Sequence, residues 1–505
     1  MTLKKIYLSL LLVAALFTGS IGAQASDYSS YLSDDQVPNS AVFLPLPSDS
    51  ADAAFVGDYA RWVWGKSLRP TARGQQASWE SKFGMPRMCT IYSALLGIDI
   101  NADNTPAIYQ FMYRSGHTGG SVVGIMKRQH FRKRPFLLMN EDVWGEFDHY
   151  SDLAPGSAYP SSHTGFAWSV AMALAEMVPA LQDTILRRGY EYGISRVIVG
   201  AHWQSDVDAA IMCSSAAFCC AHNNEQYATD LAAARSEYLR LKGLSESDIE
   251  SLGYPKIEKI LDPPYSKDDM AYMGDVAQYW STKALRNGER GSQAEDDEDI
   301  TSDYLLSIFS QCTTVPISAT ETPAISMLVN LTELALNTMC KTSKNAWPIK
   351  RPYVQMGEPI ARYSPQWYAS NDNAYPSQHA MLGWGIALAL AEAIPGCQDA
   401  LLKRGLDYGY SRVITGYSYP SYVEAGRIMA SCAMINLHNS EPYNSVMQNA
   451  KAEWEEVSKQ HSVESIIARS SLNPTAWYTL AGIVLPSQPT IAGIYIHNGK
   501  KIAIK

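Results

Sequence analysis

The chain has 505 residues, which is enough for two or three domains that each bury a core of their own. Its composition, with 46% hydrophobic and 18% charged residues, is ordinary for a folded protein. The formal net charge of −9 and the lack of a large basic stripe argue against a nucleic-acid partner, although a local cluster of Lys and Arg can still bind phosphate.

The first 25 residues have the pattern of a secretory signal peptide. Lys4 and Lys5 form a charged start, Ile6 to Phe17 an apolar stretch, and Ala23-Gln24-Ala25 a typical cleavage site. About 12 strongly apolar residues are too few for a helix that spans a bilayer of ~30 Å. We therefore predict an exported protein, periplasmic or secreted to the cell surface, with no membrane span.

Two long segments of the chain carry the same succession of motifs. K-R-Q-H-F-R-K-R-P, P-S-S-H and S-R-V-I-V-G-A-H-W-Q-S-D, within residues 127–206, recur within residues 344–422 as K-N-A-W-P-I-K-R-P, P-S-Q-H and S-R-V-I-T-G-Y-S-Y-P-S-Y. The offset is 217 positions for the first motif and 216 for the later ones. We infer that a whole domain is duplicated.

Both copies have helical patterns. Gly165–Val178 and its counterpart Ala380–Ile394 are too long and too rich in Ala, Leu and Met for strands, and a proline follows each. Second helices are predicted over Ala180–Tyr192 and Gly396–Tyr408. The predicted fold class is all-α, with two tandem helical-bundle domains and a short C-terminal β hairpin tail. The predicted boundaries are 1–25 for the signal peptide, 26–244 and 245–461 for the domains, and 462–505 for the tail.

The first motif of the earlier copy brings cations together. Lys127 and Arg134 lie seven residues apart, which on a helix returns them to one face after about two turns. Pro135 is then expected to end that helix or to turn the chain. Two cations on one face suit phosphate oxygens, and an Arg can bind them in bidentate fashion. The alternative is a solvated basic face, because further Lys and Arg crowd this segment.

The second motif is a proline-led loop, Pro160-Ser161-Ser162-His163, at the entry of a predicted helix. Ser161 or Ser162 can cap that helix, whose unpaired N–H groups and positive dipole end favour an anion. His163 is placed to protonate a leaving oxygen. The alternative is a plain helix cap followed by a surface histidine.

The third motif combines Arg196 with His202 and Asp206. The last two are four residues apart, so a helical turn would bring the carboxylate to the imidazole. An Asp on Nδ1 fixes the tautomer, presents Nε2 and stabilises positive charge, as a histidine nucleophile requires. A metal site is a weaker alternative because no third ligand is spaced nearby. We expect neither a metal nor a cofactor.

With these three motifs in this order, the first copy resembles the class A bacterial non-specific acid phosphatases. That family belongs to the superfamily of type 2 phosphatidic acid phosphatases and vanadium haloperoxidases. The likeness is closest over S-A-Y-P-S-S-H-T (157–164) and over L-R-R-G-Y-E-Y-G-I-S-R-V-I-V-G-A-H-W-Q-S-D-V-D-A-A (186–210). The resemblance implies metal-independent, two-step hydrolysis of small phosphomonoesters, with inorganic phosphate and vanadate as inhibitors.

The resemblance also implies a role for each matching residue. His202 would attack phosphorus and form a phosphohistidine, Asp206 would orient it, and His163 would protonate the leaving alcohol and later activate water. The groups expected to hold the phosphate oxygens are Lys127, Arg134, Ser161, the Ser162 backbone amide and Arg196. Ser162 stands where the family usually has Gly, which affects loop geometry more than a backbone amide. A protonated His163 beside a neutral His202 implies an acidic to mildly acidic optimum.

In the second copy His202 corresponds to Ser418 and Asp206 to Tyr422. The other motif positions keep their residue types, namely Lys344, Arg351, Ser377, His379 and Arg412. Because Tyr422 cannot act as a carboxylate, Ser418 would lack a base, and we predict that the second copy is inactive. Its cations are either a relic or a weak anion-binding site.

Two further stretches belong to the second copy. The apolar Ile428–Leu437 suits a partner surface, which a pseudo-dimer within one chain would supply. The acidic run Glu295–Asp299 is expected to be a solvated loop or helix face, because the ligand alternation and turn glycine of a calcium loop are missing.

The tail, Ala476–Lys505, has β-forming residues around Asn498-Gly499, which predicts a hairpin. It resembles the end of the C-terminal sorting domain of the type IX secretion route of Bacteroidetes. A small β appendage without a sorting role is the alternative.

Three functions other than hydrolysis are alternatives for motifs of this kind. A vanadium-dependent haloperoxidase would hold vanadate in the same pocket, and a membrane lipid phosphatase would need spanning helices that the sequence lacks. An anion-binding pseudoenzyme is an alternative that suits the second copy. The motifs address only the phosphoryl group, so the natural substrate depends on loops such as residues 141–159.

Overall fold

The computed structural model describes residues 29–147, 156–250, 253–358 and 373–460, and five short segments of the tail: 477–479, 484–485, 487–490, 492–497 and 500–504. The predicted signal peptide, the Asn498-Gly499 turn and part of the 141–159 loop lie outside them. By internal contacts the chain divides into two compact units, Met1–Ala277 and Gln278–Lys505.

The first unit is helical. Its helices are α1 (Ser40–Phe43), α2 (Phe55–Leu68), α3 (Ala72–Trp79), α4 (Met85–Leu96), α5 (Pro106–Gln129), α6 (Pro135–Leu138), α7 (Ser162–Met177), α8 (Gln182–Ile198), α9 (Gln204–Ala221), α10 (Glu225–Lys242) and α11 (Ile257–Ile260), with 3₁₀ turns at Pro179–Leu181 and Glu246–Asp248. The apolar α7 helix is buried from Thr164 to its end, and α5, α8 and α9 pack around it.

The second unit repeats this succession. After α12 (Tyr272–Ser281), which contains the boundary, follow a 3₁₀ turn (Thr282–Asn287), α13 (Glu289–Asp296), α14 (Ser302–Ser310), α15 (Pro323–Lys344), α16 (Pro352–Gln355), α17 (Gln378–Ala393), α18 (Gln398–Ile414), α19 (Pro420–His438) and α20 (Glu441–Gln460). The starts of α2 to α6 recur as those of α12 to α16 at an offset of 217 residues, and α7 to α10 recur as α17 to α20 at 216.

Close helix packing in the first unit brings two functional segments to one end of the bundle. A Cβ added at Gly119 of α5 would lie 2.0 Å from Ser169 Oγ of α7, so only glycine permits this approach. Farther along α5, Val123 lies against Gly165 of α7. The C-terminal end of α5, which carries Lys127, therefore lies beside the N-terminal end of α7.

The tail is a four-stranded antiparallel sheet in the order β2-β1-β3-β4. Its strands are β1 (Trp477–Thr479), β2 (Val484–Leu485), β3 (Gly493–His497) and β4 (Lys500–Ile504). The predicted hairpin corresponds to β3 and β4, whose register pairs His497 with Lys500. The β1 and β2 strands extend it, and Trp477 stacks on His497 with ring centroids 4.3 Å apart. The all-α class with a short β tail is confirmed.

Two predicted features of the helices take a different form in the structure. The helices predicted to end at Tyr192 and Tyr408 continue to Ile198 and Ile414, because nothing in S-R-V-I breaks a helix. The apolar Ile428–Leu437 lies in α19, which packs on α17 of its own unit, so its composition needs no partner surface. Among the described residues no helix combines the length and hydrophobicity needed to cross a bilayer.

Candidate active site

His202 lies in the turn between α8 and α9, with a side chain only 2% exposed. Gly200 makes this turn at φ +77°, a conformation that glycine adopts without strain. The N–H groups of Ala201 and His202 both donate to the carbonyl of Arg196, at 3.1 and 3.2 Å. The turn thereby fixes the imidazole against the end of α8.

Arg134 identifies the resting tautomer of His202. Its Nη1 lies 3.0 Å from His202 Nε2. A guanidinium has only donors, so Nε2 accepts through its lone pair and the proton of the neutral ring is on Nδ1. Nδ1 faces Asp206 Oδ2 at 3.5 Å, an ion-pair separation rather than a short hydrogen bond. The lone pair of His202 is therefore directed at the cations of the site.

Asp206 is anchored by groups other than His202. Its Oδ2 accepts from the Trp203 N–H at 2.8 Å at the start of α9, and its Oδ1 accepts from Arg132 Nη1 at 2.6 Å. Arg132 Nη2 also donates to Asp58 Oδ2 at 2.6 Å. Arg132, Asp58 and Asp206 are all buried, so one guanidinium neutralises two carboxylates behind the histidine.

The prediction that Lys127 and Arg134 share a helical face is wrong. The α5 helix ends at Gln129, and Arg134 adopts φ −69° and ψ 155° as the cap of α6. Steric contact with the ring of a following proline disfavours the helical region, so Pro135 extends Arg134 and then begins a helix. The two cations meet through the loop instead: Lys127 Nζ and Arg134 Nη2 both donate to the carbonyl of Ser157, at 2.5 and 3.3 Å.

Arg196 contributes a fully buried positive charge. Its Nη1 donates to the carbonyl of Ser81 at 3.3 Å, whereas its Nε and Nη2 have no hydrogen-bond partner within the described part of the chain. A buried donor without a partner costs about 1–3 kcal/mol, and more when it is charged. An anion with several acceptor oxygens would relieve that cost.

The N-terminal end of α7 completes the site. Ser161 is the cap, and its Oγ accepts from the Thr164 N–H at 3.3 Å. Ser162, the first helical residue, is exposed, and N–H groups of a first turn lack intrahelical acceptors. His163 follows, half-buried, with its ring centroid 4.6 Å from that of Phe83. The geometry thus places a helix dipole and a second imidazole beside the cations.

Burial, together with the neighbouring positive charges, lowers the pKa values of this site. Burial, together with Arg196 and the other cations, lowers the pKa of His163 well below 6.5. Burial and Arg134 lower the pKa of His202 in the same direction, and they lower the pKa of Lys127 to about 7. Each shift disfavours a further positive charge, and a bound anion would oppose all of them by favouring the protonated forms.

The second unit keeps the main-chain framework of this site. Lys127 and Lys344 each donate from Nζ to a carbonyl at 2.5 Å, and the turns before Ser418 and His202 have the same hydrogen bonds. Two further backbone hydrogen bonds recur at the repeat offset. The N–H of Ser161 donates to the carbonyl of Asp206, as that of Ser377 does to Tyr422. The N–H of Ala158 donates to the carbonyl of Arg132, as that of Ala374 does to Ile349.

The reactive side chains of the second unit are replaced together. Ser418, 3% exposed, stands at the position of His202. Tyr422, 1% exposed, stands at that of Asp206, and its ring packs on those of Tyr375 and Tyr419 with centroids 5.4 and 5.2 Å away. Ile349 stands where the first unit has Arg132. Neither a histidine nucleophile nor its charged support is present there.

The retained cations of the second unit face groups of their own chain. Arg412 Nη1 lies 3.9 Å from Glu298 Oε1, and His379 Nε2 lies 3.1 Å from the Glu298 carbonyl. The ring of Tyr417, at the position of Ala201, lies 6.0 and 5.5 Å from the guanidinium carbons of Arg351 and Arg412. The Glu298 carboxylate and the Tyr417 ring therefore lie beside the cations of the second unit. The matching cations of the first unit, Arg196 and Arg134, face the carbonyls of Ser81 and Ala201 instead.

The acidic run Glu295–Asp299 is not solvated throughout, contrary to prediction. Asp297 is fully buried, pairs with Arg404 and accepts from Ser411 Oγ at 2.6 Å. Glu80, its counterpart, is equally buried and binds the matching residues of the first unit. Glu80 thus links the segment after α3 to α8, next to Arg196. Asp297 links the segment after α13 to α18, next to Arg412.

Arg132 is the residue that the sequence interpretation missed. In the sequence it is one of several cations in a crowded basic segment, yet in the structure it is buried between Asp58 and Asp206. A signal was available, because the repeat offset places Ile349 at the position of Arg132 and Tyr422 at that of Asp206. Joint loss of an acid and a base indicates an ion pair.

Several known proteins are similar in sequence to this chain. The PAP2 superfamily model matches residues 112–229. A non-specific acid phosphatase of Providencia stuartii is 34% identical over 213 residues, which are 42% of this chain and 86% of that protein. The chain belongs to the non-specific acid phosphatase family. One family member from Salmonella typhi is 30% identical over 214 residues, 42% of this chain and 85% of that protein. An acid phosphatase of Zymomonas mobilis is 27% identical over 231 residues, covering 44% and 87%.

Membership in this family confirms the resemblance inferred from the three motifs and makes the chain a phosphatase. The superfamily match lies within the first unit, and it includes Lys127, Arg196 and His202.

Proposed function

We propose that the first unit hydrolyses small phosphomonoesters without a metal ion, through a phosphohistidine on Nε2 of His202. The observation that carries the proposal is the lone pair of a buried, neutral His202, which faces Arg134 at 3.0 Å. Lys127, Arg134, Arg196, Ser161 and the Ser162 amide are assigned to the phosphate oxygens. Convergent donors of this kind stabilise the charge of a phosphoryl-transfer transition state.

The reaction has two displacements at phosphorus. In the first, the Nε2 lone pair of His202 attacks, the P–O bond to the alcohol breaks, and His163 gives its proton to the leaving oxygen. In the second, a water oxygen attacks, the P–N bond breaks, and His163 takes the proton of that water. Phosphate leaves and His202 regains its lone pair, so atoms and protons balance over the cycle.

Asp206 is assigned a positioning and electrostatic role. Attack by Nε2 leaves positive charge on the ring, and Asp206 Oδ2 is 3.5 Å from the Nδ1 that carries the proton. Arg132 holds the carboxylate in this orientation through Oδ1. Inorganic phosphate and vanadate are expected to inhibit, because both present oxygens to the same donors.

We also propose that the second unit is a duplicated copy without catalytic activity. The constant offsets between helix starts support duplication, and Ser418, Tyr422 and Ile349 support inactivity. The Glu298 carboxylate near Arg412 favours a relic over an anion site. The domains proposed from sequence are 26–244 and 245–461.

Export of the protein is a further proposal. It is supported by the charged start, apolar stretch and Ala23-Gln24-Ala25 of the first 25 residues. The tail sheet is proposed as a sorting signal for the cell surface, with a structural appendage as the alternative. Replacing residues 462–505 by an unrelated linker tests this: unchanged surface export would refute the sorting role.

The catalytic proposal is tested by phosphate release from an aryl phosphate between pH 4 and 8, with a chelator present. Wild type and Ser418→Ala are expected to be equally active, whereas His202→Ala is expected to lose at least ~10³-fold. The two substitutions occupy matching repeat positions, so each is the control of the other. Activity that persists in His202→Ala, or that disappears with the chelator, would contradict the mechanism.

A further inference from the structure

A continuous series of aromatic rings leads away from the proposed general acid. The Phe83 ring lies against His163 with centroids 4.6 Å apart and against Phe166 at 5.2 Å. The series continues from Phe166 to His117 at 5.6 Å and from His117 to Tyr113 at 4.4 Å. Each distance is within the range of direct aromatic contact. We name Phe83, Phe166, His117 and Tyr113 the aromatic ledge.

The aromatic ledge borders the phosphate-binding groups. Phe83 follows Ser81, whose carbonyl accepts from Arg196 at 3.3 Å, so the segment before α4 touches both the buried cation and His163. Phe83 is 47% exposed, and His117 is exposed as well, whereas Phe166 is buried beneath them. An aromatic side chain left half in water at the edge of a polar site offers apolar surface to a ligand.

The direction of the reaction decides which part of a substrate meets this surface. In-line displacement places the leaving oxygen opposite His202, where His163 protonates it. The group bonded to that oxygen must therefore extend past His163. The Phe83 ring is in direct contact with His163, so the leaving alcohol extends along the aromatic ledge.

The second unit lacks the entire aromatic ledge. The repeat offset places Ile300 at the position of Phe83, Leu382 at that of Phe166, Leu334 at that of His117 and Asn330 at that of Tyr113. A purely structural role in helix packing would be needed equally in both units, whose helices have the same succession. The rings instead disappear in the unit that has lost the nucleophile, which associates them with the substrate.

We propose that the aromatic ledge binds planar aromatic leaving groups, so that aryl and heteroaryl phosphomonoesters are preferred over aliphatic ones. This inference rests on the proposed hydrolysis at His202 and specifies its substrate class. Offset-stacked and edge-to-face pairs are the contacts that Phe83 and His117 provide to a planar ring.

Non-hydrolysable inhibitors test the ledge without interference from leaving-group reactivity. Benzylphosphonate carries a ring at the distance of an aryl ester, and ethylphosphonate lacks it. In Phe83→Ala the inhibition constant of benzylphosphonate is expected to rise roughly 3- to 10-fold, while that of ethylphosphonate stays within about twofold. Phe83→Trp is expected to restore the discrimination. Leu241→Ala, an exposed apolar position on α10, is the matched control and is expected to change neither constant.

Substrate kinetics provide the second readout and separate the two proposals. The ratio of kcat/KM for 1-naphthyl phosphate to that for glycerol 2-phosphate is expected to fall roughly 3- to 10-fold in Phe83→Ala. An unchanged ratio in an active variant, or equal weakening of both phosphonates, would overturn the aromatic ledge alone. A wild type that hydrolyses neither ester would overturn the proposed function, and this inference with it.

Discussion

Replacement of Arg132 by leucine is expected to destabilise the first unit and to abolish its activity. Arg132 is 6% exposed and makes 2.6 Å ion pairs with both Asp58 and Asp206, themselves 4% and 0% exposed. Removing one partner of a buried ion pair costs about 3–5 kcal/mol, because the other charge is left uncompensated. Two carboxylates are stranded here, so we expect the upper part of that range.

Differential scanning calorimetry of the full chain measures this effect. A loss of 1 kcal/mol lowers the Tm of a domain of this size by about 2–4 °C, so Arg132→Leu is expected to lower one transition by about 8–20 °C. Lys133→Leu is the matched control, since its side chain is an exposed neighbour, and we expect a change within ~0.5 kcal/mol. A shift below about 3 °C for Arg132→Leu would refute the reasoning.

The second unit suggests a compensating variant. Arg132→Ile combined with Asp206→Tyr reproduces the Ile349 and Tyr422 of the second unit. That unit keeps a buried Asp275 at the position of Asp58. We expect the double variant to recover more than half of the lost stability, because only one carboxylate then lacks its cation, yet to remain inactive. If the loss of stability in the double variant equals the sum of the losses in Arg132→Ile and Asp206→Tyr alone, the two residues are not coupled.

Three further outcomes follow from the geometry. The pKa of Lys127 lies at about 7, so its charge is lost as the pH rises through that value. KM is therefore expected to increase above pH 7, and Lys127→Arg is expected to extend the alkaline limb of the pH–rate profile. A rate that rises smoothly past pH 9 would contradict the assignment. Introducing Ser418→His into His202→Ala is expected to give no phosphate release above that of His202→Ala, since Tyr422 and Ile349 cannot support an imidazolium. Recovered turnover would show that the main-chain framework of the second unit is competent for catalysis. Gly200→Ala is expected to lower the free energy of unfolding by about 1–2 kcal/mol, because its φ is +77° and a Cβ would lie 2.8 Å from Arg69 Nη2. Urea titration measures this loss, and an unchanged midpoint of the unfolding transition would show that the turn relaxes.

The fold class and the approximate helices could be predicted because they depend on local pattern. Gly165–Val178 is rich in Ala, Leu and Met and is followed by a proline, and both properties act within one helix. The error over Lys127 and Arg134 has the same local origin. Seven-residue spacing suggested a helix, but the restriction that Pro135 places on the preceding residue is stronger.

The ion pairs behind His202 could not be derived from spacing. Asp58 lies 74 positions from Arg132, and no rule of helical periodicity connects residues so far apart. What the sequence did contain was the comparison between its own two copies. The repeat offset, applied to every position, shows that Arg132 and Asp206 both lack counterparts in the second copy and that Glu80 and Asp297 are matching acidic residues.

Trapping the phosphoenzyme tests the assignment of His202 most directly. Wild-type chain is mixed with a radiolabelled aryl phosphate, quenched in alkali within milliseconds, digested and mapped. The expected result is an acid-labile, alkali-stable label on the peptide that contains His202, absent in His202→Ala and absent from the peptide that contains Ser418. An acid-stable label on Ser418, or turnover with no trapped phosphoryl group on His202, would contradict a histidine nucleophile in the first unit.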